Sequence, residues 1–229
     1  MKTKEIYKNI VLYVCETEED EYRKNNPEIE VHPMRKGVQG NIARVRNYIL
    51  EKEFEKNGKC VIMDDDFSGL MCHENGKEVM LDEDTVHNFI DNGFTMCDDL
   101  GARLWGVNVL SDPKAYRIYT PLSMKGVILG PFSCHLQSNV RYDERIPLKE
   151  DYDYYIQQMN VYKKVLRFNK YFYRCKQSNL KGGCSSMRNR EEEERQFCLL
   201  EKKWGTGIIK RDIKKQDYNP IIKIPIRGV

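Results

Sequence analysis

Three consecutive carboxylates, Asp64, Asp65 and Asp66, close the apolar run Val61-Ile62-Met63. Like charges packed side by side repel, and partial burial raises the cost of ionising them all, so the trio calls for a cation. In an extended segment side chains two apart point to one side, which lets Asp64 and Asp66 converge on one ion while Asp65 points away. Hard carboxylate oxygens select Mg²⁺ or Mn²⁺, ions that keep positions open for phosphate oxygens and water. The expectation is a divalent cation that holds a nucleotide diphosphate. A solvated acidic turn is the plain alternative for a bare Asp-x-Asp; the apolar lead-in and the place at a strand end favour the metal.

A second acidic group, Glu150-Asp151, opens the segment EDYDYYIQQM. Carboxylates at a helix start are stabilised by the dipole and the free amides, which is the bland reading. The chemical reading is a general base that deprotonates an incoming hydroxyl. Neighbours on a helix diverge by about 100°, so only one faces a given substrate atom; Asp151 is the first choice and Glu150 the second. Arg44 and Asn47, three apart near another helix N-terminus, are placed to meet phosphate or ribose, although an exposed Arg on a helix is usually plain surface. Glu16, ending the first apolar run, would lie beside that helix front and contact base or ribose.

The elements that must position these groups are legible from periodicity. Asn9–Glu16 and Glu28–Met34 read as strands on either side of an acidic, helix-tolerant stretch. Residues 41–54 carry Ile42, Val45, Ile49, Leu50 and Phe54 on one helical stripe, with Gly37 and Gly40 in a turn before it and Asn57-Gly58 stopping it. The run 59–67 reads as a buried strand to its last residues, Glu83–Leu100 as a helix, and Arg103–Leu110 and 126–136 as strands. Glu150–Tyr162 reads as a helix, Val165–Cys175 as a strand and Met187–Trp204 as a charged helix. Strand, helix, strand, helix, strand in succession predicts an α/β fold, Rossmann-like, with a mixed, largely parallel sheet flanked by helices; ligands collect at the carboxyl ends of such strands. One domain spanning 1–229 is expected, with the tail IIKIPIRGV packing across it.

The net charge of +3 conceals a division: residues 1–160 hold 20 Lys and Arg against 28 Asp and Glu, whereas 161–229 hold 18 against 7. In the basic part, cations such as Lys163, Lys164, Arg167, Lys181 and Arg188 alternate with aromatic residues, a mixture that tracks a phosphate backbone and offers stacking faces, or else forms a solvated basic surface. The eight cysteines contain no Cys-x-x-Cys pair and read as reduced, mostly buried thiols. Cys184 in GGCSS is a weak candidate for thiol chemistry. No run approaches the roughly 20 apolar residues of a membrane span, and the N-terminus lacks a cleavable leader pattern, so a cytoplasmic protein without a membrane partner is expected.

In order along the chain, GNIARVRNYILEK, VIMDDDF, LWGVNVL, LKEDYDYYIQQM and VLRFNKYF resemble the GT-A glycosyltransferases, and more closely the TET-associated glycosyltransferases of bacteriophages. The resemblance implies a GT-A-like fold, an infected host cell as the setting, and transfer of a sugar from a nucleotide sugar, UDP-linked by expectation, to 5-hydroxymethylpyrimidines in DNA. Carried over residue by residue, it implies that Asp64 and Asp66 bind Mn²⁺ or Mg²⁺ and Asp65 the ribose. Arg44, Asn47, Glu16 and the glycine loop Gly182-Gly183 would position the nucleotide sugar, and Asp151 would be the base of an inverting displacement. Residues 1–110 would form the nucleotide-sugar and metal half, and 111–229 the acceptor half, with Lys163, Lys164, Arg167, Lys181 and Arg188 on DNA. Trp105 reads as core sooner than as a base-stacking residue. The chain departs from the pattern in lacking a late histidine ligand: its four are His32, His73, His87 and His135, and Ser185, Ser186 and Asn189 are unranked substitutes. Two other classes compete, a sugar-phosphate nucleotidyltransferase and a non-catalytic DNA-binding module. The first would carry a basic glycine loop after the first strand, where this chain has the acidic VCETEEDEY.

Overall fold

β1 (Val11–Cys15) and β2 (Glu30–Met34) pair in parallel around the short helix α1 (Glu19–Asn25) and form a two-stranded sheet of their own. The structure, a computed structural model, describes residues 7, 9–109, 116–175, 188–212 and 217–226. Helix α2 (Ile42–Asn57) starts at Asn41, whose side chain accepts the N–H groups of Ala43 and Arg44, and ends at Gly58, which at φ 68° returns its N–H to the Phe54 carbonyl. The stop at Gly58 is the one expected from the sequence; the Asn41 cap is an addition to it.

The main sheet comprises β3 (Lys59–Met63), β8 (Phe132–Leu136), β6 (Leu104–Asn108), β9 (Leu166–Cys175), β4 (Phe67–Glu74) and β5 (Lys77–Met80), in that spatial order, with the short β7 (Leu122–Ser123) also on β9. Of its pairings only β6–β9 is parallel. The expectation of a largely parallel sheet is therefore corrected to a mixed one in which antiparallel pairs dominate. β3 is not followed by a crossover helix: the chain reverses at Asp64–Phe67 and runs into a hairpin, and β8 inserts antiparallel between β3 and β6. A further two-stranded ribbon, β10 (Ile209–Asp212) with β11 (Asp217–Ile222), lies near the C-terminus.

Two consequences fix the site. Because β8 opposes both β3 and β6, and β9 parallels β6, the strands β3, β6 and β9 run the same way and deliver Met63, Asn108 and Cys175 to one edge. In addition, β3 and β4 stand four places apart in the order, roughly 19 Å in a flat sheet, yet Met63 and Phe67 are four residues apart and span at most about 14 Å. The sheet must curl, and Phe67 accordingly stacks on Phe132 of β8 at 5.8 Å between ring centroids.

The two faces bury different sets, with the period of two expected of strands. Cys60 and Ile62 of β3 join Leu104 against α2, α4 (Glu150–Tyr162) and α5 (Arg190–Trp204), whereas Val61 and Met63 turn to Trp105, Val107 and Phe132 on the face covered by α3 (Glu83–Asp99). Trp105 is fully buried, so its reading as core holds. Helix α3 approaches it so closely that a Cβ on Gly93 would fall 2.5 Å from the indole. The tail packs as expected, Ile222, Ile224 and Ile226 lying half-buried on the first of these cores.

Candidate functional site

A broad cleft of about 1920 Å³ opens where the carboxyl end of β1, the first turns of α2, the Asp64–Asp66 turn and the start of α4 converge. The carboxylates do not lie in an extended strand. β3 stops at Met63, the Asp64 N–H bonds to the Pro131 carbonyl, and the Phe67 N–H bonds back to the Asp64 carbonyl, closing a tight turn with Asp65 and Asp66 at its corners. Asp65 is exposed, while Asp64 and Asp66 are half-buried. Burial, then repulsion from Asp64 and Asp65, raises the Asp66 pKa, partly offset by a hydrogen bond with the Cys175 thiol at the end of β9.

Sequence reasoning missed the residue at the centre of the site. Arg46, only 4% exposed, donates through Nη2 to Asp64 Oδ1 at 3.0 Å and through Nη1 to Glu150 Oε1 at 2.7 Å. One guanidinium, itself 104 residues before Glu150 in the chain, thus ties the β3 end to the start of α4. Burial works against its charge, but Asp64 and then Glu150 outweigh it and raise its pKa. Gly130 makes room for it: a Cβ there would lie 2.2 Å from Nη2. A signal was present in the sequence, since Arg46 stands four and eight residues before the core positions Leu50 and Phe54.

Glu150 and Asp151 take different roles. Glu150 is buried and held by Arg46; burial, and after it repulsion from Asp151, pushes its pKa up to about 8 against the pull of Arg46. Asp151 lines the cleft, is less enclosed, and accepts the N–H groups of Gly130 at 3.3 Å and Tyr152 at 2.8 Å. Its pKa is raised by burial, with Arg46 and those two amides opposing. The phenol of Tyr173 on β9 stands in the field of Asp151 and Asp64; burial first, then those charges, raise its pKa too. The α4 start is fixed from behind by a buried ion pair, Lys149 Nζ to Glu193 Oε2 at 2.5 Å, and by the Leu148 N–H donating to Gln196 Oε1 on α5 at 2.6 Å.

The remaining expected site residues separate into groups. Arg44 is exposed and bonds Glu144 at 2.9 Å and the Gly37 carbonyl. Asn47 exchanges two hydrogen bonds with the backbone of Tyr142 and so fixes the segment before α4. Glu16 is exposed just past β1, and Glu18 beside it lines the cleft. Arg188 lines the cleft and bonds Glu193 at 3.0 Å; Asn189 caps α5 through the Glu192 N–H. Lys163, Lys164 and Arg167 lie at the opposite end of β9 from Cys175, roughly 26 Å along the strand for Arg167. Lys163 and Lys164 donate to the carbonyls of Asn160 and Leu100, and Arg167 bonds Asn169. Lys181, Gly182, Gly183, Cys184, Ser185 and Ser186 lie outside the described residues. Of the histidines, His87 lines the cleft and His135 is buried in the core.

Among the described residues no set of three or more acidic, histidine or cysteine side chains forms a ready-made metal cage. The hard oxygens of Asp64 and Asp66, whose crowding a cation would relieve, are donors of the kind Mg²⁺ or Mn²⁺ takes, with Asp64 Oδ1 also engaged by Arg46.

The chain matches the family model of the TET-associated glycosyltransferases over residues 1–183. It belongs to that family, and it is a glycosyltransferase. No curated protein matches it.

Proposed function

We propose that the cleft takes a nucleotide sugar, UDP-linked by expectation, and transfers its sugar to the hydroxymethyl group of a 5-hydroxymethylpyrimidine in DNA. The observation that carries the reading is Arg46 clamped between Asp64 and Glu150, since it draws the diphosphate-side acids and the acceptor-side acids into one cleft. Asp64 and Asp66 hold the divalent ion, which when bound neutralises charge on the departing diphosphate. Asp65, exposed at the turn corner, and Glu16 meet the ribose or base of the donor. Glu150 is committed to Arg46, which leaves Asp151 to accept the proton of the acceptor hydroxyl. As that proton leaves, the hydroxymethyl oxygen bonds to the anomeric carbon. The bond from that carbon to the diphosphate oxygen breaks, and the nucleoside diphosphate departs with the electron pair. A single displacement of this kind inverts the anomeric centre. Burial raises the proton affinity of Asp151, which makes it a stronger base than an ordinary aspartate.

The test is incubation with hydroxymethylated DNA, Mn²⁺ and a panel of nucleotide sugars, read by nucleoside mass spectrometry. A sugar adduct on the hydroxymethyl base is expected, lost in Asp64→Ala/Asp66→Ala and reduced at least a hundredfold in Asp151→Asn. An adduct insensitive to Asp151→Asn removes Asp151 as base; no adduct from any donor removes DNA as acceptor.

A further inference from the structure

The two most exposed large apolar side chains among the described residues are neighbours. Ile118 is 81% and Tyr119 75% solvent-accessible, and they form the corner of a tight turn closed by the Thr120 N–H on the Arg117 carbonyl at 2.9 Å. Turn corners are ordinarily given to Gly, Pro, Asn or Asp, so two bulky apolar residues there run against the local chemistry of the turn. The turn is nevertheless held firmly. The buried strand residue Asn169 donates its side-chain amide to the Thr120 carbonyl at 2.9 Å and its backbone N–H to the Pro121 carbonyl at 2.8 Å. Arg167 in turn locks Asn169, donating Nε to Oδ1 at 2.9 Å while lying against Gly126, where a Cβ would fall 2.4 Å from it. A side chain selected at sequence level for phosphate contact is therefore an anchor of this turn.

The charge around it is one-signed. From Pro113 to Tyr142, and again from Tyr154 to Arg190, the sequence contains no Asp or Glu. These are the stretches that supply the turn, β7 and β9. Arg117, Lys125, Lys163 and Lys164 lie along this ladder, and among the described residues none of them has a carboxylate within ion-pair distance. Lys170 and Arg174, farther along β9, are matched by Glu74 and Glu78.

We infer that the Arg117–Thr120 turn is an apolar wedge for duplex DNA, with Ile118 and Tyr119 entering the base stack while Arg117, Lys125, Lys163 and Lys164 hold the phosphates. Apolar side chains on a rigid projection unstack base steps, and an aromatic face replaces the stacking that is lost. Chemistry on a base within a duplex requires such unstacking, because the base must leave the helix to reach the catalytic groups. The reach suffices. Val109 lines the cleft and Arg117 follows eight residues later, a span of at most about 28 Å, less than one turn of duplex, about 34 Å. The inference rests on the reading of DNA as acceptor and adds to it the surface that opens the duplex.

The experiment omits sugar transfer, so that the two readings fail separately. Wild-type protein, Ile118→Ser/Tyr119→Ser and Lys163→Gln/Lys164→Gln are titrated against an unmodified duplex carrying 2-aminopurine, following anisotropy for affinity and 2-aminopurine fluorescence for unstacking. The wild-type chain should raise the fluorescence. The wedge variant should abolish that rise and bind about tenfold more weakly, with an unchanged salt slope and melting temperature, since both side chains are exposed. The lysine variant should lower the slope of log affinity against log salt by close to two. A wedge variant that unstacks the duplex as well as wild type overturns the inference, even if hydroxymethylated DNA is glycosylated. A wild-type chain that ignores duplex but binds anionic lipid vesicles through Ile118 and Tyr119 also overturns it. If unstacking depends on the wedge but no adduct forms, the surface stands and the acceptor assignment falls.

Discussion

Arg46 shows why a side chain's role depends on its direction as much as its type. Arg44 and Arg46 are two residues apart on α2, about 200° around the helix, so one meets solvent and Glu144 while the other enters the core and holds two acids. Of the expected stripe, Leu50 and Phe54 are buried in the protein, whereas Ile42, Val45 and Ile49 line the cleft; the buried face continues through Ala43 and Arg46. An arginine on a buried face breaks the binary pattern, and such breaks mark functional sites. Replacing Arg46 with Met removes the only countercharge hydrogen-bonded to Glu150 in the described structure and leaves Glu150 and Asp151 to repel each other. A loss of about 3 kcal/mol is expected, seen as a fall in melting temperature of roughly 10 °C at neutral pH. The fall should deepen as pH rises past about 8, where the wild-type Glu150 is ionised and its pairing with Arg46 is at full strength. Gly130→Ala should repeat the defect at about 1–3 kcal/mol, because its methyl group occupies the guanidinium's place. An unchanged melting curve for Arg46→Met would mean that the clamp contributes nothing to the fold.

At the scale of elements, periodicity located the longer helices and six of the eleven described strands, while β4, β5, β7, β10 and β11 went unread and partners and direction stayed hidden. The helix over 150–162 and the strand over 166–175 stand where expected, and α2 ends at the expected Gly58 stop. The hairpin β4–β5 went unread although Asn75-Gly76, with φ of 51° and 75°, is the strongest short hairpin signal. Reading the acidic run as the tail of a strand concealed the turn that begins there. Strand pairing depends on contacts between residues far apart in sequence, such as β3 with β8, which no local pattern encodes. His135 on β8 illustrates what such packing does. Its ring is wholly buried, 2.9 Å from the Ser133 hydroxyl and 3.3 Å from that of Tyr154, and burial, assisted by Arg46, lowers its pKa to about 3. The unfolded chain takes up the proton near pH 6.5 and the folded chain refuses it, so stability rises with pH between about 3 and 6.5 and is independent of this group above that range. The contribution lost on acidification is on the order of 5 kcal/mol. His135→Gln should flatten the stability profile over that window in chemical denaturation measured at several pH values; an equally steep profile would assign the slope to carboxylates alone.

For the whole molecule, the decisive feature is that the cleft separates two sheets. β1 and β2 pair only with each other, around a small core of Leu12, Val14 and Val31, and meet α2 through the Tyr13 hydroxyl on Glu53 at 2.6 Å. Opposite them, the main sheet is buried on both faces at β6, all five of whose residues are enclosed, while its edge strand β5 is exposed. Charge division along the sequence hinted at two functional regions, but Arg46 and Glu150 belong to different halves of the chain and meet in one site, which composition could not reveal. Local stability follows buried contact, so β1, α1 and β2 should open with much less free energy than β3, β8 and β6. Hydrogen exchange should report faster loss of protection over residues 11–34 than over 104–108 and 132–136. A ligand that binds only the folded form slows exchange in whatever it bridges, by about 2.7 kcal/mol at a hundred times its Kd. Nucleoside diphosphate with Mn²⁺ should therefore protect residues 11–18 together with 63–66, because both border the cleft. The diphosphate without metal should protect them less, and Asp64→Ala/Asp66→Ala should remove the metal-dependent part. Protection confined to 63–66 would place the nucleotide on the main sheet alone and leave Glu16 and Glu18 without a role in binding it.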